Sequence, residues 1–169
     1  MRSEKLRRSF TKMTDCANDY IYFDISDSPI DNPEGLSVRL SDRHNGIGGD
    51  GVVLIGKSET ADAAMRMFNK DGSEGKMAGN AIRCVAKYLY DNGIVTKTDM
   101  TVETASGIKN LHLTLRNGKT ATVRVDMGKV SFKPSEIPVN LPGDEVVGKE
   151  IHVGEDSFAI TCVSVGNPH

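Results

Sequence analysis

The chain has 169 residues, of which 26% are charged and 38% hydrophobic, and its 21 basic and 23 acidic side chains give a net charge of −2. This length suits one domain or slightly more than one. The near-neutral charge argues against a nucleic-acid binder and a basic membrane anchor, and no apolar run approaches the roughly 18 residues of a membrane-spanning segment.

The N-terminus and the cysteine and histidine content bear on cellular location and metal binding. The first ten residues, MRSEKLRRSF, lack the apolar centre of a secretory signal, and a transit peptide is the alternative interpretation. The cysteines form no CxxC motif and no even-numbered set, so we expect free thiols in a reducing cytoplasm. The histidines lie far apart, without a partner at zinc-ligand spacing, and no structural metal is expected. These residues are Cys16, Cys84, Cys162, His44, His112, His152 and His169.

Four strands are predicted in the first seventy residues. Segments 10–13 and 20–25 form a pair of strands around a polar loop at 14–19. The short apolar run at 52–55 indicates a buried strand, and the alternating segment 62–69 indicates a strand with one face more buried than the other.

Two helices are predicted, and the second is the stronger. Asn32 is a good N-cap and Pro33 suits the first helical position, so a short helix is expected from there to about Arg43. Segment 79–92 is apolar around most of its circumference, which is typical of an enclosed helix. Gly93 is a natural stop signal. Arg83, Lys87 and Asp91, spaced by four, form its single charged stripe.

Beyond that helix the apolar period changes to two, which predicts strands. Asn117-Gly118 between two of these strands is a strong hairpin signal. The expected fold class is therefore α/β of the α+β type, with strands wrapped around a central, mostly buried helix. The predicted strands are 102–104, 111–115, 123–127, 149–153 and 158–165.

Two glycine-containing segments resemble ligand-binding motifs. Residues 46–51 satisfy GxGxxG, but that fingerprint needs a strand before it and a helix after it, and the predicted order here is reversed. Gly79-Asn80 opens the buried helix, and the free N–H groups of a helix start bind anions such as a carboxylate. Asn69 and Asn80 also offer donors and acceptors. A turn followed by a capped helix without any ligand is the alternative.

Five blocks carry a family signature. They are Asn18-Asp19-Tyr20, SDRHNGIGGDG at 41–51, FNKDGSEGKMAGNAIRC at 68–84, Val125-Asp126-Met127-Gly128 and Gly166-Asn167-Pro168-His169. In content and order they resemble diaminopimelate epimerase, the PLP-independent epimerase of bacterial lysine biosynthesis. The resemblance covers the chain from about residue 10 onward and implies two similar domains, each with strands around a central helix. Residues 1–128 are then expected to form the first domain, and 129–169 the beginning of an incomplete second one.

The resemblance also implies a mechanism without a cofactor, in which two cysteines face the substrate α-carbon from opposite sides. The first of them directly precedes Gly-Asn in the family, and this chain has Ala78 there. The second belongs to a region beyond His169, which itself matches a histidine that pairs with a glutamate of that region. We therefore expect the chain as it stands to be inactive in epimerisation. The substrate contacts that the resemblance implies are Asn18, Asn69, Gly79, Asn80 and Asn167.

Some departures and alternatives follow from the same blocks. Glycines are usual in the family where Asp15 and Ala17 stand. Cys84 is expected to be a buried packing residue, whereas Cys16 is the other candidate base. Another amino-acid racemase of the same fold, or a non-catalytic binding or assembly remnant, are the alternative functions. Besides the amino-acid substrate, the expected partner is a second copy of the chain or a C-terminal half.

Overall fold

The computed structural model describes residues 7–169, which divide into two units, one ending at Asp126 and the other formed by Met127–His169. Residues 1–6, to which the signal and transit-peptide interpretations mainly refer, lie outside the described residues. Within residues 7–169, no helix is long and apolar enough to cross a membrane.

One sheet dominates the first unit. Its strands lie in the order β1-β2-β3-β4-β6-β7-β8, and β5 pairs with β4. The β2–β3 and β4–β6 pairs are parallel, and the other pairs are antiparallel. The elements are β1 (Thr11–Asp15), β2 (Asn18–Asp24), α1 (Pro33–Ser41), β3 (Gly51–Gly56), β4 (Ala63–Asn69), β5 (Glu74–Gly75), α2 (Gly79–Asp91), β6 (Asp99–Thr104), β7 (Gly107–Arg116) and β8 (Lys119–Val125).

Helix α2 is the enclosed helix that the sequence predicts. It contacts β8, β1, β2, β6 and β7, so the strands at both ends of the sheet pack against it. This arrangement confirms the expected fold class of strands around a mostly buried helix. Its buried side chains are Ala81, Ile82, Cys84, Val85, Ala86 and Leu89.

The charged stripe of α2 contacts both edge strands of the sheet. Arg83 forms an ion pair with Asp15 of β1. Lys87 donates through Nζ to the Thr120 carbonyl of β8 at 2.9 Å, and Asp91 Oδ1 accepts hydrogen bonds from the Thr120 N–H and hydroxyl. Edge strands present unpaired backbone groups, and the stripe supplies partners for some of them.

Local sequence signals predict several boundaries correctly. Asn32 caps α1 by accepting a hydrogen bond from the Gly35 N–H at 2.9 Å, and Pro33 is the first helical residue. Asn117 and Gly118 form the β7–β8 turn, both with positive φ, as a two-residue hairpin turn of this type requires.

The predicted polar loop at 14–19 is wrong. β1 extends to Asp15 and β2 begins at Asn18, so the turn consists of Cys16 and Ala17 alone. The φ angles of these two residues are +49° and +67°. The left-handed conformation is unfavourable for residues with a side chain. Cysteine and alanine are therefore not expected in such a turn, and the sequence did not predict it.

Three smaller boundaries also differ from the prediction. Helix α1 ends at Ser41 because the next residue, Asp42, leaves the helical conformation with ψ 124°. β8 ends at Val125 rather than 127. In the second unit, β9 (Lys149–Val153) pairs with β10 (Asp156–Ile160) across a turn at Gly154, whose φ is +64°. The predicted strand 158–165 therefore begins and ends too late along the chain, and Cys162 lies outside β10.

Candidate active site at the start of helix α2

Helix α2 begins with backbone groups that are suited to an anion. Ala78 is the N-cap residue in an extended conformation, its carbonyl accepts from the Ile82 N–H at 3.0 Å, and its methyl group forms no capping hydrogen bond. The first N–H groups of the helix, from Gly79 onward, have no intrahelical partner. The positive end of the helix dipole lies at the same place, so this end of α2 can stabilise a carboxylate.

The Asn80 side chain connects this helix start to the β1–β2 turn. Its Oδ1 accepts a hydrogen bond from Arg83 Nη2 at 2.6 Å, and Arg83 Nε donates to Asp15 Oδ2 at 2.5 Å. Asp15 is paired across the turn with Asn18. The Arg83 guanidinium group therefore links Asn80 to Asp15, the strand partner of Asn18.

Asn69 lies at the end of β4, in the row of residues that crosses β2, β3 and β4. That row is formed by Tyr20, Gly51 and Asn69. The amide of Asn69 donates to the Ser73 hydroxyl at 2.9 Å, so the following turn fixes its orientation. A Cβ added to Gly51 would lie 2.0 Å from the Phe68 carbonyl oxygen, so no larger residue fits at this position.

Asn167 and His169, the other two predicted site residues, belong to the second unit. The ring Nε2 of His169 lies 3.1 Å from Asn167 Oδ1. The His169 N–H donates to the Val163 carbonyl, and the Val163 N–H donates to the His169 carbonyl. These bonds orient both residues within their own unit.

A charged network that the sequence did not predict lies beside Asn18. Arg43 binds both carboxylate oxygens of Asp19, at 2.6 and 3.0 Å, and also contacts Asp50 Oδ1 at 3.1 Å. The Asp19 N–H donates to Asp50 Oδ2 at 3.1 Å, and the Asp50 N–H donates to the Asp19 carbonyl at 2.7 Å. The Arg43 guanidinium, with Lys12 also bonded to the carboxylate, holds the pKa of Asp19 well below its usual range. Asp19 belongs to the family block at 18–20, and Arg43 and Asp50 belong to the block at 41–51. Their presence in these blocks was the one sequence feature that pointed to the network.

The glycine-rich segment 46–51 has a structural role. It lies between α1 and β3, which is the order that argues against a dinucleotide fingerprint. The N–H groups of Ile47 and Gly48 both donate to the Leu40 carbonyl, and that of Gly49 donates to Ser41. These amides cap the C-terminal end of α1, so they are already occupied.

The cysteines and the possible metal ligands within residues 7–169 bear on acid–base chemistry and metal binding near this helix start. Cys84 is buried as predicted, and its burial raises the pKa of the thiol. Cys16 is exposed in the β1–β2 turn, with its Sγ 3.5 Å from Arg83 Nη2. Among residues 7–169, no three His, Cys, Asp or Glu side chains are arranged to hold a metal ion. An open groove on β6–β8 contains an Asp99–His112 pair at 2.7 Å and none of the predicted site residues.

Comparison with known proteins decides the family. The sequence profile described as diaminopimelate epimerase matches residues 10–133. The chain belongs to the diaminopimelate epimerase family. It is 50% identical to the diaminopimelate epimerase of Acetivibrio thermocellus and 51% identical to that of Methanococcus maripaludis strain S2, over 160 residues or 95% of the chain in both cases. These alignments span 57% and 58% of the two relatives, so the chain represents little more than half of their length.

Solved structures agree on the fold. Methylitaconate-delta-isomerase superposes on 96% of the chain and 52% of its own length, with a TM-score of 0.63 and 17% identity. A hydroxyproline epimerase from Agrobacterium vitis covers 87% of the chain and 46% of its own, with a TM-score of 0.56 and 16% identity. At these identities the likeness concerns the fold alone.

Proposed function

We propose that this chain carries part of the diaminopimelate site of an epimerase that interconverts the LL and meso forms without a cofactor, in lysine biosynthesis. The observation that supports this most is the arrangement around helix α2. Its unpaired N–H groups begin at Gly79, and Asn80 is joined through Arg83 to the turn that precedes Asn18. The choice of diaminopimelate as the substrate rests on the names of the relatives.

Each residue has a distinct part in this proposal. Removal of an α-proton next to a carboxylate requires a base and a group that stabilises the developing negative charge. Gly79 and Asn80, at the start of α2, would bind the substrate carboxylate. The side chains that would contact the rest of the substrate are Asn18, Asn69 and Asn167. His169, which lies beside Asn167, would pair with a glutamate, as the family resemblance implies.

Because of Ala78, we propose that the chain as it stands does not epimerise diaminopimelate. This residue occupies the position at which the family's first acid–base cysteine is expected, and a methyl group cannot carry a proton. Loss of one positioned acid–base group lowers a rate by about 10²–10⁴. The family resemblance assigns the other acid–base cysteine to a region after the Gly-Asn-Pro-His block, and it gives no such residue within the matched segments.

The test separates chemistry from binding. The chain is incubated in D₂O with LL-diaminopimelate, and mass spectrometry and chiral chromatography are used to follow deuterium at the α-carbon and formation of the meso form. We expect neither product, and formation of meso-diaminopimelate by this chain would contradict the proposal. Equilibrium dialysis should still detect binding of labelled diaminopimelate, weakened about two- to tenfold by Asn80→Ala and unchanged by Asn110→Ala, at an exposed position on β7.

A non-catalytic binding or assembly protein is the second candidate, and Ala78 is the observation that favours it. In that case diaminopimelate need not bind at all. A racemase of the same fold that acts on another amino acid is the third. Binding of labelled L-proline or hydroxyproline in the same dialysis experiment, without binding of labelled diaminopimelate, would favour that function.

The setting of the protein is proposed on the same basis. We propose that it works in the cytoplasm, and that it forms a homodimer or pairs with a C-terminal half that completes the pocket. Light scattering at micromolar concentration tests the pairing. A single monomeric species at all concentrations would count against a homodimer.

A further inference from the structure

The orientation of the Asn80 amide follows from the chemistry of its neighbour. Arg83 Nη2 lies 2.6 Å from one end of the amide, and a guanidinium group has only donors. The atom that faces Arg83 must therefore be the oxygen Oδ1, since the NH₂ group would place donor against donor. Within residues 7–169, no other hydrogen bond to the side chain of Asn80 is formed. The NH₂ group thus has no acceptor among these residues and is available to a ligand.

Arg83 is itself held in place. Its Nε donates to Asp15 Oδ2 at 2.5 Å, and Nη2 also lies 3.5 Å from Cys16 Sγ. About 30% of each side chain in the Arg83–Asp15 pair is exposed, so solvent screens the pair only partly. Charge-assisted bonds of a planar guanidinium fix direction as well as distance, and the plane of Arg83 is therefore set by the β1–β2 turn.

We infer that Arg83 is a positioning residue that fixes the amide of Asn80 with its NH₂ group available to the carboxylate of the ligand. The carboxylate ligand rests on the proposed function, whereas the amide orientation does not. Arg83 does not touch the ligand in this arrangement. It fixes the Asn80 side chain so that its NH₂ group adds a donor to the main-chain N–H groups of the helix start, which favours an anion over a neutral group.

The amide orientation is tested first without ligand, by NMR relaxation of the Asn80 side-chain NH₂ group. In the parent chain the order parameter of this group should be high. Arg83→Met removes the donor and should lower it below about 0.6, the range of a flexible group. Arg83→Lys restores a pure donor and should restore the order. Lys87→Met is the matched control, because Lys87 lies one turn further along the same stripe and makes two hydrogen bonds, neither to Asn80.

The second arm titrates the same four proteins with LL-diaminopimelate. Loss of one oriented hydrogen bond predicts a dissociation constant raised about fivefold in Arg83→Met, near the parent value in Arg83→Lys and unchanged in Lys87→Met. An Asn80 NH₂ group that stays equally ordered in Arg83→Met would overturn the positioning role. If its order falls but the parent does not bind diaminopimelate, the proposed ligand is wrong and the positioning role stands without it. Equal weakening by Arg83→Met and Lys87→Met would reduce Arg83 to a general structural residue and overturn the inference.

Discussion

Replacing Ala17 by glycine should stabilise the protein. Ala17 is exposed and has φ +67° in the two-residue turn before Asn18. A left-handed conformation costs an L-residue about 1–2 kcal/mol, and the larger conformational freedom of glycine in the unfolded chain offsets about 0.4–1 kcal/mol of that gain. The Ala17 side chain makes no buried contact that would be lost. The net expected increase in the free energy of unfolding is therefore about 0.5–1 kcal/mol.

Urea denaturation is the assay, and the second hairpin turn supplies a matched control. For an unfolding slope of about 2 kcal/mol/M, Ala17→Gly should raise the midpoint by about 0.4 M. Gly118 has φ +73°, and a Cβ there would meet nothing within 4 Å. Gly118→Ala should therefore lower the midpoint by a similar amount. An unchanged or lowered midpoint for Ala17→Gly, with the expected fall for Gly118→Ala, would refute the claim that the first turn is strained.

Three further predictions concern the surroundings of the site. Ser37→Ala removes a fully buried hydroxyl that donates to two carbonyls at the end of β4, at 2.8 and 3.1 Å. We expect the free energy of unfolding to fall by about 1–3 kcal/mol in urea denaturation. An unchanged midpoint would contradict this. Arg43 holds the pKa of Asp19 below its usual range, so the pair stabilises the fold above about pH 4 and this contribution is lost as the pH falls further. Arg43→Met should flatten the acid-side loss of stability in thermal melts at pH 2–6, and an unchanged acid limb would argue against the pair. Ala78→Cys places a thiol at the N-cap of α2, where its pKa should fall below about 8.5. The pH dependence of iodoacetamide alkylation measures this pKa, with Cys16 and Cys84 as internal references. A pKa above that value would contradict the stabilisation of negative charge at the start of α2.

Elements with strong local signals were predictable from the sequence. Asn32-Pro33 marks the start of α1 without any knowledge of the fold. The narrow charged stripe of α2 indicates an enclosed helix, because the other positions around its circumference are apolar or nearly so. The Asn117-Gly118 turn follows from the preference of these residue types for positive φ.

The features that the sequence did not predict depend on contacts between distant residues. Cys16 and Ala17 have no turn preference, and pairing of the flanking strands imposes their conformation. Asp19 and Arg43 are 24 residues apart, and Arg83 and Asp15 are 68 apart, so no periodicity relates them.

For the site, the resemblance supplied the residues, and the structure added how they are linked. The position of Asn80 at a helix start was readable from the sequence. The guanidinium group that orients its amide was not, because Arg83 appeared there only as part of a charged stripe.

The most direct test of the central claim is a titration of the uniformly ¹⁵N-labelled chain with LL-diaminopimelate, followed by backbone amide shifts. We expect the largest shifts at the N–H groups of Gly79 and Asn80, smaller ones at Asn18 and Asn69, and none in the groove that contains His112. Absence of shifts at the start of α2, or a maximum in that groove, would contradict the claim that this helix start binds the carboxylate of diaminopimelate.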